Sequence, residues 1–227
     1  MATANTRRNK DARKDDLYTT PPWAVKALLK HETFTGSLLD AGCGKNAITN
    51  VLVDAGYNVK GIDLHDHGFG ETGIDFTMYN EMHDNVISNP PFTLLNLFIL
   101  NAIKLARNKT AIFARINVLE TQDRFEAIFQ FDEFKPHKIY LFSNRVNCPK
   151  GGDHSEDSGS AVLYCWLIWD HSLPDVDYAK LYWLDDKAPP RPKKKRAKKA
   201  KAVKDKTVDE VEIEIEIDGD TEIEIEI

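Results

Sequence analysis

Apolar residues follow two spacings along the chain, one typical of strands and one typical of helices. Short apolar runs predict buried strands at 37–39, 58–62, 85–88, 110–114, 137–142 and 161–169. Apolar residues at helical spacing stand at 23–31, 46–55, 93–105 and 125–129. Strands that alternate with helices predict a parallel α/β sheet, and the last two strands, with no helix between them, predict an antiparallel hairpin.

A glycine-rich turn with the sequence Asp-Ala-Gly-Cys-Gly, residues 40–44, follows the first predicted strand. Its glycines permit a tight turn in which the backbone comes close to a ligand. The dinucleotide-binding pattern G-x-G-x-x-G would need a third glycine where Ala47 stands. The turn therefore predicts a ligand site that departs from this pattern.

The second predicted strand, 58–62, ends in Asp63, 23 positions after Asp40. An acid at this distance, at the end of the second strand of a doubly wound sheet, reaches the hydroxyls of a ribose. A carboxylate can accept hydrogen bonds from both hydroxyls, so Asp63 is predicted to bind a ribose. His65, Asp66 and His67 follow in a glycine-rich loop with no fourth ligand at a recognisable spacing, which favours a solvated loop and no metal site.

The segment Asn89-Pro90-Pro91-Phe92 stands between the predicted strand at 85–88 and a long apolar helix. It therefore lies at the carboxyl end of a strand, where open α/β sheets bind their ligands. Two prolines fix two φ angles and supply no N–H, which leaves rigid carbonyls that only accept hydrogen bonds. Together with an amide and an aromatic ring, they suit a planar NH₂ group; a proline-rich structural turn is the alternative.

These motifs, in this order, resemble those of class I S-adenosylmethionine-dependent methyltransferases over about residues 17–170. Asn-Pro-Pro-Phe is similar to the catalytic motif of amino-methyltransferases, above all of the small phage-type DNA N6-adenine enzymes. The resemblance implies a Rossmann-like, doubly wound, mostly parallel seven-stranded sheet with an antiparallel end strand, followed here by a C-terminal tail.

The resemblance also implies S-adenosyl-L-methionine as the cofactor. Asp40 would accept hydrogen bonds from its amino acid part and Asp75 from its adenine, with Phe76 as apolar cover. The opening segment 18–21 would line its methionine end, and Thr20 is also placed to cap the helix that follows. The cofactor-binding residues are thus predicted to be Tyr18, Thr19, Thr20, Pro21, Asp40, Ala41, Gly42, Gly44, Asp63, Leu64, Asp75, Phe76 and Asn89.

The activity that the resemblance implies is methyl transfer to the N6 amino group of adenine in DNA. Asn89 Oδ1 and the Pro90 carbonyl would accept its two N–H bonds, and Phe92 would stack on the base. Because N6 is inaccessible inside a duplex, the nucleotide must be flipped out or single-stranded. The predicted catalytic residues are Asn89, Pro90, Pro91 and Phe92, and the predicted substrate contacts are Phe92, Arg145, Asn147 and Lys150.

Other acceptors and one other class of protein remain open. Similar motifs belong to methyltransferases of ribosomal RNA bases and of protein glutamine. A C5-cytosine mechanism needs a nucleophilic thiol in a Pro-Cys pair, which the sequence lacks. A catalytically silent nucleic-acid-binding module on the same scaffold is the alternative class; Asp63 and Asn89 argue against it, because a silent scaffold would tolerate their loss.

The composition predicts one soluble domain with tails. The 227 residues are 42% hydrophobic, and no apolar run approaches the length of a membrane span. The N-terminus lacks the apolar core of a secretory signal, and three widely spaced cysteines predict reduced thiols. We therefore expect a cytoplasmic protein without a membrane partner, in a bacterial or phage-infected cell as the resemblance implies.

The net charge of −6 is distributed unevenly over four predicted regions. A flexible arm, 1–16, precedes the domain at 17–188, which carries 15 Lys/Arg and 22 Asp/Glu. A basic linker, 189–206, holds ten bases and one acid, and the tail at 207–227 holds ten acids and no base. Because the domain is acidic, DNA contacts must be local or come from the tails.

The tail alternates Glu and Ile on both sides of Asp218-Gly219-Asp220. This pattern predicts a β-hairpin with its isoleucines on one face, and low-complexity sequence is the alternative. A lone hairpin is marginal in water, so the isoleucine face would need a partner surface or a second chain. Self-association through the tail follows as a hypothesis, while the sequence predicts no oligomeric state.

Overall fold

The structure, a computed structural model, describes residues 17–149, 151 and 162–186. The predicted arm at 1–16, Lys150, the basic linker and the alternating Glu/Ile tail lie outside the described residues. Within the described ranges, no helix is long and apolar enough to cross a membrane.

The described residues form seven strands, four short helices and several 3₁₀ turns. The strands are β1 (Ser37–Ala41), β2 (Asn58–Ile62), β3 (His83–Ser88), β4 (Ala106–Arg115), β5 (Lys138–Phe142), β6 (Tyr164–Asp170) and β7 (Lys180–Leu184). The helices are α1 (Pro22–Leu29), α2 (Ala47–Asp54), α3 (Leu95–Leu105) and α4 (Gln122–Arg124), which continues as a π-helix over Phe125–Phe129. The 3₁₀ turns are Phe76–Met78, Phe92–Leu94, Ile116–Leu119 and Asp132–Phe134.

The seven strands form one sheet in the order β2-β1-β3-β4-β6-β5-β7. Strands β1 to β4 pair in parallel, β6 is antiparallel to both β4 and β5, and β7 is parallel to β5. This arrangement confirms the predicted doubly wound, mostly parallel sheet and its antiparallel hairpin. The carboxyl ends of β1 to β4 meet at one edge, where such sheets bind their ligands.

The antiparallel strand β6 occupies a different position in the sheet from the predicted end position. The prediction made 161–169 the last strand, whereas β6 begins at Tyr164, lies inside the sheet and is followed by β7 (Lys180–Leu184). β7 is an outer strand in which only Leu184 is buried, so its sequence lacks the apolar run that marks a buried strand.

Both faces of the sheet are covered by apolar side chains, which alternate along each strand. On β6, Trp166 and Ile168 belong to the cluster that contains the buried face of α1 and α2. Their neighbours Leu167 and Trp169 belong to the cluster built with α3. Coverage of both faces explains why the central strands read as continuous apolar runs rather than as alternating ones.

Three cysteines are free and buried, as the sequence predicted for reduced thiols: Cys43, Cys148 and Cys165. Burial raises the pKa of each thiol to about 12. The thiols are therefore protonated at neutral pH and poor nucleophiles, because the thiolate is the reactive form.

A buried carboxylate joins the end of α1 to the sheet. Glu32 accepts hydrogen bonds from Lys109 Nζ at 2.6 Å, Lys138 Nζ at 2.6 Å and the Tyr140 hydroxyl at 2.8 Å. Burial alone would raise the pKa of Glu32, but these hydrogen bonds outweigh it and hold the pKa below its usual value. The ionised carboxylate thus fixes α1 against β4 and β5.

Replacing Glu32 with Ala should lower the free energy of unfolding by about 3 kcal/mol, because the partly buried Lys138 loses the carboxylate it pairs with and Lys109 keeps only Asp170, at 3.6 Å. Glu71→Ala provides the control, since Glu71 is an exposed residue that pairs with Lys60 at 3.1 Å, and its loss should cost less than about 1 kcal/mol. Urea unfolding followed by tryptophan fluorescence measures both. Equal stability of the two variants would contradict a structural role for Glu32.

Candidate functional site

The loops that follow β1, β2 and β3 enclose a cavity of about 250 Å³ at the carboxyl edge of the sheet. Twelve residues that the sequence predicted for a site line it: Tyr18, Thr19, Thr20, Asp40, Gly42, Gly44, Asp63, Leu64, Asp75, Phe76, Asn89 and Pro91. They come from five separate segments of the chain, which the parallel sheet brings to one place.

The glycine-rich turn forms one wall of the cavity. The backbone N–H groups of Gly42 and Cys43 donate to the Ile62 carbonyl at 2.9 and 3.0 Å, which ties the turn to the end of β2. Gly44 has a φ of +52°, and a Cβ added there would lie 2.6 Å from Leu17 Cδ1. Position 44 therefore requires glycine for its conformation and for the close packing of Leu17.

Asp40 is fully buried at the base of the cavity. Its Oδ2 accepts from the Thr49 backbone N–H at 3.1 Å and the Thr49 hydroxyl at 2.7 Å. Its Oδ1 accepts no hydrogen bond from any residue that the structure describes. The pKa of Asp40 is raised to about 7, chiefly by burial and to a smaller extent by the charge of Asp63. The hydrogen bonds from Thr49 lower the pKa and offset part of this rise.

Two hydroxyls of the opening segment share this lack of partners. Thr19 Oγ1 and Thr20 Oγ1 are buried and make no hydrogen bond within the described ranges, and both residues line the cavity with Asp40. Buried polar atoms are nearly always hydrogen-bonded in folded proteins. Three unsatisfied oxygens around one cavity therefore indicate a ligand that donates hydrogen bonds.

The predicted cap by Thr20 is wrong. Helix α1 begins at Pro22, the capping position is Pro21, and no side chain bonds to the first turn. A proline in the first turn supplies no N–H, so this end of the helix has fewer donors that need a cap. The Thr20 hydroxyl is buried at the cavity instead.

Asp63 connects the two loops at the ends of β1 and β2. Its Oδ2 accepts from the Gly44 N–H at 2.9 Å and its Oδ1 from the His65 N–H at 2.8 Å. Each carboxylate oxygen retains a second lone pair. Asp63 can therefore hold the loops in place and still accept from a ligand hydroxyl.

The pair Asp75 and Phe76 closes another side of the cavity. Asp75 Oδ1 caps the 3₁₀ turn that follows, accepting from the Thr77 N–H at 2.9 Å and the Thr77 hydroxyl at 2.7 Å. Phe76 is buried, and its ring centroid lies 4.9 Å from that of Phe98 on α3. One polar edge thus stands beside an apolar surface, as the binding of a purine would need.

A short hydrogen bond orients the first residue of the Asn-Pro-Pro-Phe segment. Asn89 Nδ2 donates to the Tyr18 carbonyl at 2.6 Å, and because a carbonyl only accepts, the NH₂ of the amide must point there. Asn89 Oδ1 and the Pro90 carbonyl accept no hydrogen bond from the described residues, while the Pro91 carbonyl accepts from the Leu94 N–H at 3.0 Å. Two acceptors to which no described residue donates thus follow each other along a rigid backbone.

Arg115, which the sequence did not single out, lies beside this segment. Its Cζ is 3.8 Å from the ring centroid of Phe92 and 5.5 Å from that of Tyr18. The Phe92 and Tyr18 rings are 5.1 Å apart. The one available signal was the position of Arg115 directly after the predicted strand at 110–114.

Several predicted residues do not line the cavity. These are Pro21, Ala41, Pro90, Phe92, Arg145 and Asn147. The cavity-lining residues that the sequence did not predict are Leu17, Cys43, Lys45, Ala47, Ile48, His65, His67, Ile74, Thr93, Leu94 and Phe98. The two histidines lie in the loop predicted to be solvated, and the described residues hold no cluster suited to a metal ion.

The loop after β5 reaches the opening segment. The Thr19 N–H donates to the Pro149 carbonyl at 3.4 Å, and the Gly151 N–H donates to the Leu17 carbonyl at 2.9 Å. Lys45 Nζ donates to the Gly151 carbonyl at 2.7 Å. The loop that carries Arg145 and Asn147 is thus attached to the segment that orients Asn89.

Comparison with known proteins identifies the fold. Neither a family model nor a curated protein matches the sequence. A candidate class I S-adenosylmethionine-dependent methyltransferase from Listeria monocytogenes superimposes with a TM-score of 0.50 and 16% identity, over 73% of this chain and 65% of that one. A candidate RNA methyltransferase from Pyrococcus horikoshii gives 0.50 and 15%, over 72% and 91%. The chain thus spans about 65% of the length of the Listeria protein.

The chain has the fold of class I methyltransferases. The sheet order, the cavity at the carboxyl edge and the two structural matches agree on this assignment. At 15 and 16% identity, these matches establish the fold, and the chemistry has to be derived from the site.

Replacing Asp40 with Asn should stabilise the ligand-free protein at pH 8. The folded-state pKa of about 7 lies above the ordinary 3.8, so stability that is present below about pH 4 is lost as the pH rises to about 7. The loss amounts to roughly 4 kcal/mol for a shift of this size. Urea unfolding should therefore show Asp40→Asn more stable than wild type at pH 8, with a smaller difference at pH 5.

Asp54→Asn, at the exposed end of α2, is the matched control and should change stability by less than about 0.5 kcal/mol at either pH. A wild-type protein that is more stable than Asp40→Asn at pH 8 would show that the Asp40 carboxylate is satisfied without a ligand.

Proposed function

We propose that this chain is an S-adenosylmethionine-dependent methyltransferase that acts on the exocyclic N6 amino group of adenine in DNA. The observation that carries the proposal is the orientation of Asn89: its NH₂ is held by the Tyr18 carbonyl at 2.6 Å, which turns Oδ1 outward as an acceptor. An acceptor pair on rigid backbone, next to a ligand cavity, suits an amino group as the methyl acceptor.

The cavity residues fit S-adenosylmethionine by their chemistry. The unsatisfied oxygens of Asp40, Thr19 and Thr20 would hold its amino acid part, whose ammonium group donates hydrogen bonds. Asp63 retains lone pairs for ribose hydroxyls, and Asp75 with Phe76 offers a polar edge and an apolar face to the adenine. The glycine turn keeps side chains out of the space beside them.

When bound, this cofactor would supply an electrophilic methyl group. Its transfer to the lone pair of the amino nitrogen would break the carbon–sulfur bond, leave a neutral thioether and release one N–H proton to solvent. Asn89 Oδ1 and the Pro90 carbonyl would accept the two N–H bonds of the amino group. Two acceptors in this arrangement draw the N–H bonds to one side and direct the nitrogen lone pair away from them. Catalysis is then positioning and electrostatic preorganisation.

The target base would lie on the outer side of the Asn-Pro-Pro-Phe segment. Arg115 lies over the Phe92 ring, and the Tyr18 ring is close by, so the base would contact Phe92 near these two side chains. The loop after β5, with Arg145 and Asn147, would contact the same nucleotide. Because N6 is reached only outside the base stack, the substrate is a flipped or single-stranded nucleotide.

Incubation with radiolabelled S-adenosylmethionine and, separately, unmethylated DNA, RNA and protein extract tests the proposal. Label should enter DNA. Asn89→Ala should reduce the rate about 100-fold, because one of the two acceptors for the amino group is lost, while cofactor affinity changes less than about tenfold. Asn50→Ala, exposed on α2, is the control and should retain wild-type activity.

Label that enters only protein or only RNA would overturn the DNA assignment and leave the methyltransferase in place. Transfer to none of the three substrates, despite cofactor binding, would favour the catalytically silent module. Full activity of Asn89→Ala would remove the proposed role of the amide.

Gly44→Ala should weaken cofactor binding about tenfold or more, because a Cβ at φ +52° would lie 2.6 Å from Leu17 Cδ1 and displace the opening segment or the turn. Gly73→Ala separates strain from crowding, since Gly73 has a φ of +76° but no atom within 4 Å of its added Cβ. Isothermal titration with S-adenosylmethionine measures both. Equal affinities for the two variants would contradict the packing of Leu17 over the turn as a determinant of binding.

A further inference from the structure

Arg115 carries a guanidinium that makes few hydrogen bonds with the described residues. It is the last residue of β4, it is half-buried, and its planar group lies 3.8 Å from the centre of the Phe92 ring. Its Nε donates a long hydrogen bond, 3.4 Å, to the Tyr164 hydroxyl. A guanidinium has five N–H donors, so most of its donating capacity remains.

The charge of Arg115 has no carboxylate partner in the part of the chain that the structure describes. Among the described residues, no carboxylate lies within ion-pair distance of it, whereas Arg107 at the opposite end of β4 pairs with Asp84 at 3.4 Å. Holding a cation partly out of water without an anion is unfavourable. The contacts with Phe92 and Tyr18 compensate in part, and an anionic ligand would complete the set.

The position of Arg115 indicates which ligand this is. Asn89 and Pro91 line the cavity proposed for the cofactor, whereas Arg115 and Phe92 are not among its lining residues, so the guanidinium stands outside the cavity, beside the Asn-Pro-Pro-Phe segment. The proposed function places the target nucleotide next to Phe92, within reach of this guanidinium. Residues 17–188 carry a net charge of −7 and would repel a polyanion, so a cation at the point of contact has an effect out of proportion to its single charge.

We propose that Arg115 binds a phosphodiester group of the nucleic acid next to the target base. The proposal rests on the proposed function and adds to it a substrate-binding residue. A guanidinium fork matches two phosphate oxygens, and stacking on Phe92 holds the fork in one plane before the substrate arrives. Arg115 would thus contact both Phe92, the ring proposed to stack on the base, and the phosphodiester group that fixes the position of the nucleic-acid backbone.

The salt dependence of binding distinguishes a phosphate contact from a structural role. Anisotropy of a short fluorescein-labelled single-stranded DNA that contains adenine, measured with wild type and Arg115→Ala over a range of salt concentrations, gives the slope of log K against log salt. Loss of one phosphate contact should reduce this slope by about 0.7. In steady-state assays KM should rise about tenfold, with kcat within about threefold of wild type.

Two further variants make the test specific. Arg107→Ala removes the same charge from the exposed end of the same strand, far along β4 from the site, and should keep the wild-type slope and KM. Arg115→Lys retains the charge without the fork and should keep the slope while raising KM. Where Arg115→Ala fails to bind S-adenosylmethionine, Arg115→Gln replaces it.

Removing the charge from the DNA gives an independent measurement. The KM of the wild-type protein should be higher for a DNA with neutral methylphosphonate linkages around the adenine than for unmodified DNA. The KM of Arg115→Ala should be nearly the same for both DNAs. An unchanged salt slope in Arg115→Ala, or additive effects of the variant and the neutral linkages, would overturn the proposal and leave Arg115 as a residue that positions Phe92.

Failure of this proposal differs from failure of the proposed function. A wild-type protein that neither binds nor methylates DNA overturns both. Wild-type methylation of DNA together with a normal slope in Arg115→Ala overturns only the phosphate contact.

Discussion

The hydrogen bond from Asn89 Nδ2 to the Tyr18 carbonyl is the constraint on which the site depends. It fixes which end of the amide faces the chain and which faces outward, and it does so through a residue of the opening segment. That segment leads directly into α1, which is anchored to the sheet by the Trp166 Nε1 bond to the Ala24 carbonyl at 3.1 Å. The orientation of one side chain at the end of β3 is thus set by the packing of the whole face of the sheet that α1 covers.

The buried acids at the cavity show how the fold trades stability for binding. Asp40 is held out of water with one oxygen unsatisfied, and the charge of Asp63 adds to the cost of ionising it. A cationic ligand would relieve both. The same burial that disfavours the ionised Asp40 at neutral pH would therefore strengthen its attraction for an ammonium group, because the interaction would take place at low dielectric.

The sequence predicted the parts of the molecule that depend on local pattern. The strands at the centre of the sheet are long apolar runs, and their carboxyl ends necessarily meet, so the positions of Asp40, Asp63 and Asn89 followed from topology. β7 was missed because an outer strand with four exposed residues carries no such run. Arg115 was missed because a single arginine after a strand gives no local signal; only the approach of the Phe92 ring distinguishes it. The prediction that Thr20 caps α1 was wrong because Pro21 occupies the capping position and the helix begins at Pro22. The Thr20 hydroxyl lies at the cavity instead.

The proposed function accounts for charges of opposite sign near the Asn-Pro-Pro-Phe segment. Three acids, Asp40, Asp63 and Asp75, line the cavity together with one lysine, Lys45, and would favour a ligand with positive charge. Arg115 is not among the lining residues and would favour a ligand with negative charge beside Phe92. Under the proposed function, the cavity would hold a sulfonium cofactor and Arg115 would contact a phosphodiester group, so each ligand would be attracted to its own site. Asn89 and Pro90 would then act through the geometry of two neutral acceptors.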